Sequence, residues 1–427
     1  MASNQFYLLR DRRFLPLFIT QFLGAFHDNL FKNALVVMLI YKAAADATYD
    51  PKLLTTLAMG VFILPFVLFS AIGGSLADKY PKDKVMRTIK IIEMGIAALG
   101  CVSLVSGSIP LSFFTLFALG THSAFFGPSK YSIMPQHLEK QELISANALL
   151  NTGTFLAILT GTIAGTTLIT LNDGAWIVGA ALFVVSGIGY ISCRFVPPAP
   201  PVASAAERHK NPFIEGFNIL RYSLTQSRTI TLSILGVSWF YFIGGMFMAQ
   251  FANYTHETLG ADARVLTFFL MVFSVGIAVG GLLNNRLLRG RIEAVYVPLA
   301  MFFVSVFSLD LYFASTHIGA SLDGSLLTLG GFVAQPASWR ITFDIAMIAV
   351  CGGLFEVPLS AMIQHHTHPD HRARVQAGNA IMNALFMVAS AIFSAVLLGR
   401  GWSVHGLFAA FAVANSFVAL YILPPAA

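Results

Sequence analysis

Gln21, His27, Asp28, Asn29, Lys32 and Asn33 interrupt an otherwise apolar run near residues 14–41. Gln21, Asp28 and Lys32 are spaced i, i+7, i+11, so they share one face if the run is helical. A charge at mid-membrane costs at least about 2.5 kcal/mol on insertion scales, so charges so placed face a cavity and mark a substrate path. Asp28 and Lys32, one helical turn apart, could instead neutralise each other. That pairing leaves Gln21, Asn29 and Asn33 unexplained.

Other polar residues stand in apolar surroundings. Lys130, in the stretch from Gly127 to Gln136, reads as the loop-side end of a fourth span (111–127), where it could bind a phosphate or serve as a plain topological anchor. Asn147 and Asn151 share one face of a fifth span. Glu93 in a third span and Glu356 in a tenth each require a base that spacing does not identify. Gln250 and Asn253 share a face of a seventh span, where interhelical hydrogen bonding is the plainer alternative.

Enzymatic chemistry has one foothold. His365 and Asp370 have the His-x4-Asp spacing in which an acid orients a general base, as in glycerolipid acyltransferases. The phosphate-binding Phe-Pro-Glu-Gly segment that accompanies it is absent, and the motif falls in a short basic loop. His365, His366, His368 and His371 could hold a metal, against a histidine-rich turn. Cys101, Cys193 and Cys351 lie far apart without ligand spacing. Neither a nucleophile elbow nor a phosphate-cradling loop is present. The expectation is a non-enzyme with no metal and no cofactor.

The elements that must position these residues follow from composition. Of 427 residues, 56% are hydrophobic and only 11% charged, with mean hydropathy +0.73, far from the roughly 25% charged of soluble domains. Twelve apolar runs, from near 14–41 to near 402–424, reach the roughly 20 residues a span needs. Lipid offers backbone amides no partner, so the runs must be helices. The first is too long for a cleaved signal and continues through Asp28 and Lys32. Nineteen of the 26 Lys and Arg fall in segments on one side, five on the other, and Lys32 and Lys90 within spans. This bias places both termini in the cytoplasm and accounts for the net charge of +6 without nucleic acid.

The proline-rich break at 197–201 suggests a division into a six-helix bundle (1–196), a cytoplasmic linker (197–228) and a second bundle (229–427). Phe213, Phe217, Leu220 and Leu224 give the linker one apolar helical face, fit to lie on the inner leaflet or to cap the bundle. The halves repeat one another. After the second span of each, a Gly pair (Gly73-Gly74, Gly280-Gly281) is followed by Asp78-Lys79 or Asn285-Arg286. A second echo pairs Pro128, Gln136 and Asn147 with Pro358, Gln364 and Asn379.

Gly74-x-Leu76-x-Asp78-Lys79-x-x-Lys82 resembles the loop signature of the major facilitator superfamily, with Pro81 where Gly is usual. The resemblance implies an all-α membrane protein of the major facilitator fold, with twelve transmembrane helices as two six-helix bundles. It further implies that Asp78 docks on a helix end of the opposite half, where the dipole favours an anion. Gly74, Asp78, Lys79 and Lys82, with Asn285 and Arg286 of the second copy, would gate a substrate site near the midplane.

The Asp28-Asn29-Leu30-Phe31-Lys32-Asn33 core, the Gly-Pro-x-Lys-Tyr run around Lys130, and the Arg372-x-Arg374-Val375-Gln376-x-Gly378-Asn379 entry to the eleventh span are similar to the bacterial lysophospholipid transporters of that superfamily. Such transporters carry lysophosphatidylethanolamine from the outer to the inner leaflet of the bacterial inner membrane for reacylation. Some are fused to acyltransferase and acyl-carrier-protein synthetase domains, and the end of the sequence at Ala427 suits either a complete chain or the membrane part of a longer one. By this resemblance the partners are a lysophospholipid, membrane lipids and such an acyltransferase. Lys32 or Lys130 would meet the phosphate and Asp28 or Glu356 the ammonium. Gln21, Asn29, Asn151 and Gln250 complete the expected site, with Phe and Met as adaptable apolar walls. The rival function is a proton-coupled antiporter of drugs or other amphiphiles, with Asp28 or Glu356 titrating.

Overall fold

Runs of apolar residues with no water to compete for their amides fold as helices, and helices make up nearly all of the protein. The computed structural model describes residues 5–45, 51–201, 212–289, 291–316 and 326–422. The first half comprises α1 (Leu15–Ala45), α2 (Pro51–Lys79), α3 (Lys82–Ser106), α4 (Ile109–His137), α5 (Leu143–Leu168) and α6 (Gly174–Arg194). A connecting helix, α7 (Pro212–Leu224), precedes α8 (Arg228–Asn253), α9 (Ala263–Leu288), α10 (Val297–Ser315), the short α11 (Leu329–Ala334), α12 (Pro336–His366), α13 (Arg372–Gly399) and α14 (Val404–Ile422). Among the described residues, ten helices are long and apolar enough to cross a membrane, and α14 contains the shorter apolar stretch Val404–Leu420. With α1, whose apolar run is diluted by its polar face, these are the twelve expected spans.

Helix starts carry the expected caps: Ser227 accepts from the Ile230 amide, and Asp262 from those of Arg264 and Val265. Within the first half α1 packs on α5 and α6, α2 on α4, and α3 on α6. Within the second, α8 packs on α13 and α12, α9 and α10 on α12, and α10 on α14. The halves meet along α2–α13 and α5–α9. The second spanning helix of each half thus lies against the fifth of the other, the geometry expected of a duplicated unit.

One expectation needs correction, and one pair of alternatives is resolved. The fourth span does not end at residue 127 but continues as α4 to His137, with Pro128 and Pro135 inside it. The backbone groups a proline frees are tolerable where neighbouring helices surround them. Lys130 is therefore a residue of the bundle and not of a loop. The linker helix α7 packs against α2 and α13. Its Ile219 is buried with Ala71, Ala377 and Ile381 while Phe217 faces outward, so α7 caps the junction of the halves. The remainder of the expected linker, residues 202–211, lies outside the described residues.

Candidate functional site

Because α1 presents its polar face to the middle of the molecule, Gln21, Asp28 and Asn29 border a cavity of about 280 Å³ between the halves. Phe62 and Phe66 of α2, Lys90 of α3, His122, Ser123, Phe126, Lys130 and Tyr131 of α4, Tyr241 of α8, and Asn379, Asn383 and Met387 of α13 complete much of its wall. Both signs of charge are present on an otherwise aromatic and apolar surface.

Asp28 is buried, and its Oδ2 accepts from Ser123 Oγ at 2.5 Å. Its Oδ1 has no hydrogen-bond partner, the nearest base being His27 Nδ1 at 3.8 Å. A buried carboxylate oxygen so placed is costly unless something meets it. Lys130 Nζ donates to Gln21 Oε1 at 2.7 Å, and Gln21 Nε2 donates to Thr154 Oγ1 at 2.7 Å. This relay holds the ammonium at the cavity edge, 4.7 Å from the centre of the Tyr131 ring. Lys130 lies within electrostatic reach of Asp28 from the first half and Glu356 from the second.

Behind Asp28 lies a cluster that spacing alone left incomplete. Glu93 forms an ion pair with Lys90, one turn earlier on α3, and both are fully buried. His122 Nε2 stands 3.1 Å and His27 Nδ1 3.9 Å from the same carboxylate. Lys90 is thus the base that Glu93 requires; the i, i+3 spacing was the signal for it, whereas no pattern pointed to His122.

Of the remaining candidates Asn29 borders the cavity, whereas Lys32, Asn151, Gln250 and Glu356 do not. Lys32 stands 5.5 Å from the centre of the Phe62 ring and does not line the cavity. Asn29 donates to its own helix at Ala25, and Asn33 to Asn29 O and to Thr162 at 3.0 Å. Glu356 accepts from Asn151 and, at 2.6 Å, from Ser360. These two candidates from opposite halves therefore join α5 to α12 without lining the cavity. Gln250 accepts from Asn253 at 3.1 Å within α8 and is not brought to the site.

The loop residues meet where the halves touch. Asp78 accepts hydrogen bonds from the amides of Ala373 and Arg374, at 3.1 and 3.2 Å, at the start of α13. Buried Lys82 lies within electrostatic reach of Asp78. At Gly74 a Cβ would fall 2.8 Å from Ala373 O and 2.6 Å from Ala377 Cβ, so only glycine permits this approach of α2 to α13. Lys79 turns to the Tyr80 ring at 5.7 Å, Asn285 is buried, and Arg286 is exposed. The histidine-rich turn assembles no oriented His–Asp dyad: Asp370 pairs with His368 at 3.5 Å, while His365 packs on His366.

Comparison with known proteins gives three kinds of match. The Lysophospholipid transporter LplT of Citrobacter koseri is 27% identical over 405 residues, covering 91% of each chain. That of Photorhabdus laumondii subsp. laumondii is 24% identical, covering 85% of this chain and 82% of the relative. Among solved structures, the human organic anion transporter MFSD10 (TETRAN) superposes with a TM-score of 0.72 at 13% identity, covering 96% of this chain and 99% of that one. A bacterial homologue of the iron transporter ferroportin in the outward-facing state gives 0.65 at 14% identity, with 95% and 98% covered. At such identities these two structures speak for the fold alone. The sequence profile of the Major Facilitator Superfamily matches residues 17–346. With two six-helix halves joined second helix to fifth and a profile match over most of its length, the chain belongs to the Major Facilitator Superfamily.

Proposed function

We propose that the protein transports lysophospholipids, lysophosphatidylethanolamine foremost, from the outer to the inner leaflet of the bacterial inner membrane by alternating access. The observation that carries this reading is an unpartnered Asp28 oxygen and the Lys130 ammonium, both from residues that line one cavity. A zwitterionic headgroup brings one charge for each: its ammonium to Asp28, its phosphate to Lys130. Phe62, Phe66 and Met387 offer a wall for a single acyl chain. Relatives named for lysophospholipid transport, aligned over most of the chain, support the same substrate class.

The excess of Lys and Arg at one end of the bundle supports a cytoplasmic placement of that end and of both termini. The halves touch there through Asp78, and release of Asp78 from α13 accompanies the switch. Lys79, Lys82, Asn285 and Arg286 tune that switch, and residues 1–196 and 229–427 move as the two bodies about the 197–228 linker. The product emerges in the leaflet where an acyltransferase can reacylate it.

Uptake of labelled lysophosphatidylethanolamine into vesicles holding the purified protein tests the reading. Saturable uptake that a diacyl lipid competes with poorly is the expected result. The cluster of Glu93, Lys90, His27 and His122 favours a second reading, a proton-coupled antiporter of amphiphiles. Export of a cationic drug driven by a proton gradient, without lysolipid uptake, would replace the first reading by the second.

A further inference from the structure

At the basic end of the first half, away from the central cavity, Arg12, Arg13, Arg87 and Arg194 surround a hollow of about 330 Å³ floored by Val196, Pro197 and Pro198. Two of the four guanidinium groups are neutralised. Arg13 pairs with Asp11 at 2.6 Å and Glu142 at 3.0 Å, and its hydrogen bonds hold the Asp11 carboxyl below the ordinary carboxylate range. Arg87 pairs with Asp83 at 3.2 Å and donates to Val196 O, yet its buried Nε–H has no partner. Arg12 and Arg194 are exposed and make no ion pair among the described residues. The hollow therefore presents two unopposed charges, Arg12 and Arg194.

The floor is held in place. Lys82 N donates to Ala199 O at 2.9 Å, Ala199 N to Asp83 at 3.1 Å, and the His137 ring meets Pro198 O at 3.3 Å. The rim is apolar and faces outward: Phe195 is 57% exposed, and Ile191 and Ile188 continue the same surface along α6. An anion-binding fork at the foot of a stripe that faces acyl chains matches a phospholipid, with phosphate in the hollow and tails along α6.

We propose that this hollow binds the headgroup of an anionic phospholipid of the surrounding leaflet, as a site separate from the transported substrate. Basic groups beside a membrane attract anionic lipid individually, but two unopposed arginines around one held floor make this a defined site for one molecule. The ligand is lipid and not free phosphate because the rim continues into the hydrocarbon-facing surface.

Native mass spectrometry of the intact purified protein, titrated with phosphatidylglycerol or phosphatidylcholine, tests the assignment. The wild type should retain one phosphatidylglycerol in preference to phosphatidylcholine. Arg12→Gln/Arg194→Gln should bind it roughly tenfold or more weakly, while Arg12→Lys/Arg194→Lys, which keeps charge and loses the fork, should fall between. Both side chains are exposed, so melting temperature should change little; if the Gln pair melts early, the Lys pair alone is compared with wild type. Equal retention by the wild type and the variants compared, or equal retention of phosphatidylcholine, would overturn the proposal. Displacement of the lipid by millimolar inorganic phosphate would overturn it in favour of a soluble anion. Lysolipid uptake plays no part in the readout, so failure here leaves the transport reading standing.

Discussion

The side-chain amides of Asn147 and Gln364 exchange hydrogen bonds in both directions, at 3.1 and 2.8 Å, between α5 of one half and α12 of the other. Both side chains are buried. Their counterparts in the repeat, Asn379 and Gln136, are left with unpartnered carbonyl oxygens, so the duplicated pair is closed on one side of the molecule only. Closure of the basic end thus rests partly on a bond that must break when the halves part.

Removing one member should loosen that closure. Leaving a buried amide unpaired costs about 1–3 kcal/mol, so Gln364→Ala should raise the population open at the basic end at least about five-fold. Spin labels at exposed Lys140 and His368 would report a second, longer distance; a distribution unchanged from wild type would show that the pair does not hold the halves together.

Asp78→Asn should leave expression and folding nearly intact, because its one remaining oxygen can still accept from Ala373 or Arg374, although the second bond is lost where the amide nitrogen replaces the other oxygen. It removes the charge that favours a helix start, worth up to about 2 kcal/mol in a partly buried setting. Transport should fall roughly tenfold. Wild-type rates in vesicles would reduce the loop to a topological anchor.

Glycine substitutions separate packing from charge. Gly74→Val should abolish transport, since even the first added carbon meets Ala373 and Ala377, whereas Gly95→Ala, with nothing near its Cβ, should be silent. Equal uptake by the two variants would deny that close approach of α2 to α13 matters.

The buried acid of α3 gives a stability test. Glu93→Gln leaves Lys90 as an uncompensated buried charge, a loss of about 3–5 kcal/mol, and Lys90→Met/Glu93→Leu should recover most of it. Thermal melts in detergent decide; a double variant no more stable than Glu93→Gln would mean that His27 and His122, rather than Lys90, balance Glu93.

How far the sequence could be read depended on which signals compete in a membrane. Twelve helices were legible because lipid forbids other solutions to unsatisfied amides, and the polar face of α1 because Gln21 and Asp28 are expensive there without a purpose. Lys130 was misplaced because Pro128 reads as a helix end in water, while inside a bundle neighbours relieve the lost bond. Gln250 was drawn into the site by its polarity, though Asn253, three residues later, satisfies it within α8. Glu93 showed its need for a base, but its partner His122 comes from another helix, and contact across helices leaves no trace in spacing.

The central claim is that Asp28 and Lys130 meet a headgroup and do more than balance each other. A mutual pair tolerates neutral replacement of both members better than of one, because no buried charge is left over; a recognition site does not. Uptake of labelled lysophosphatidylethanolamine by vesicles containing Asp28→Asn/Lys130→Gln is the direct measurement. The account predicts a loss as severe as in either single variant, at least about tenfold for one charged contact, with the protein folded as judged by its melting temperature. Near-normal uptake by the folded double variant would contradict it.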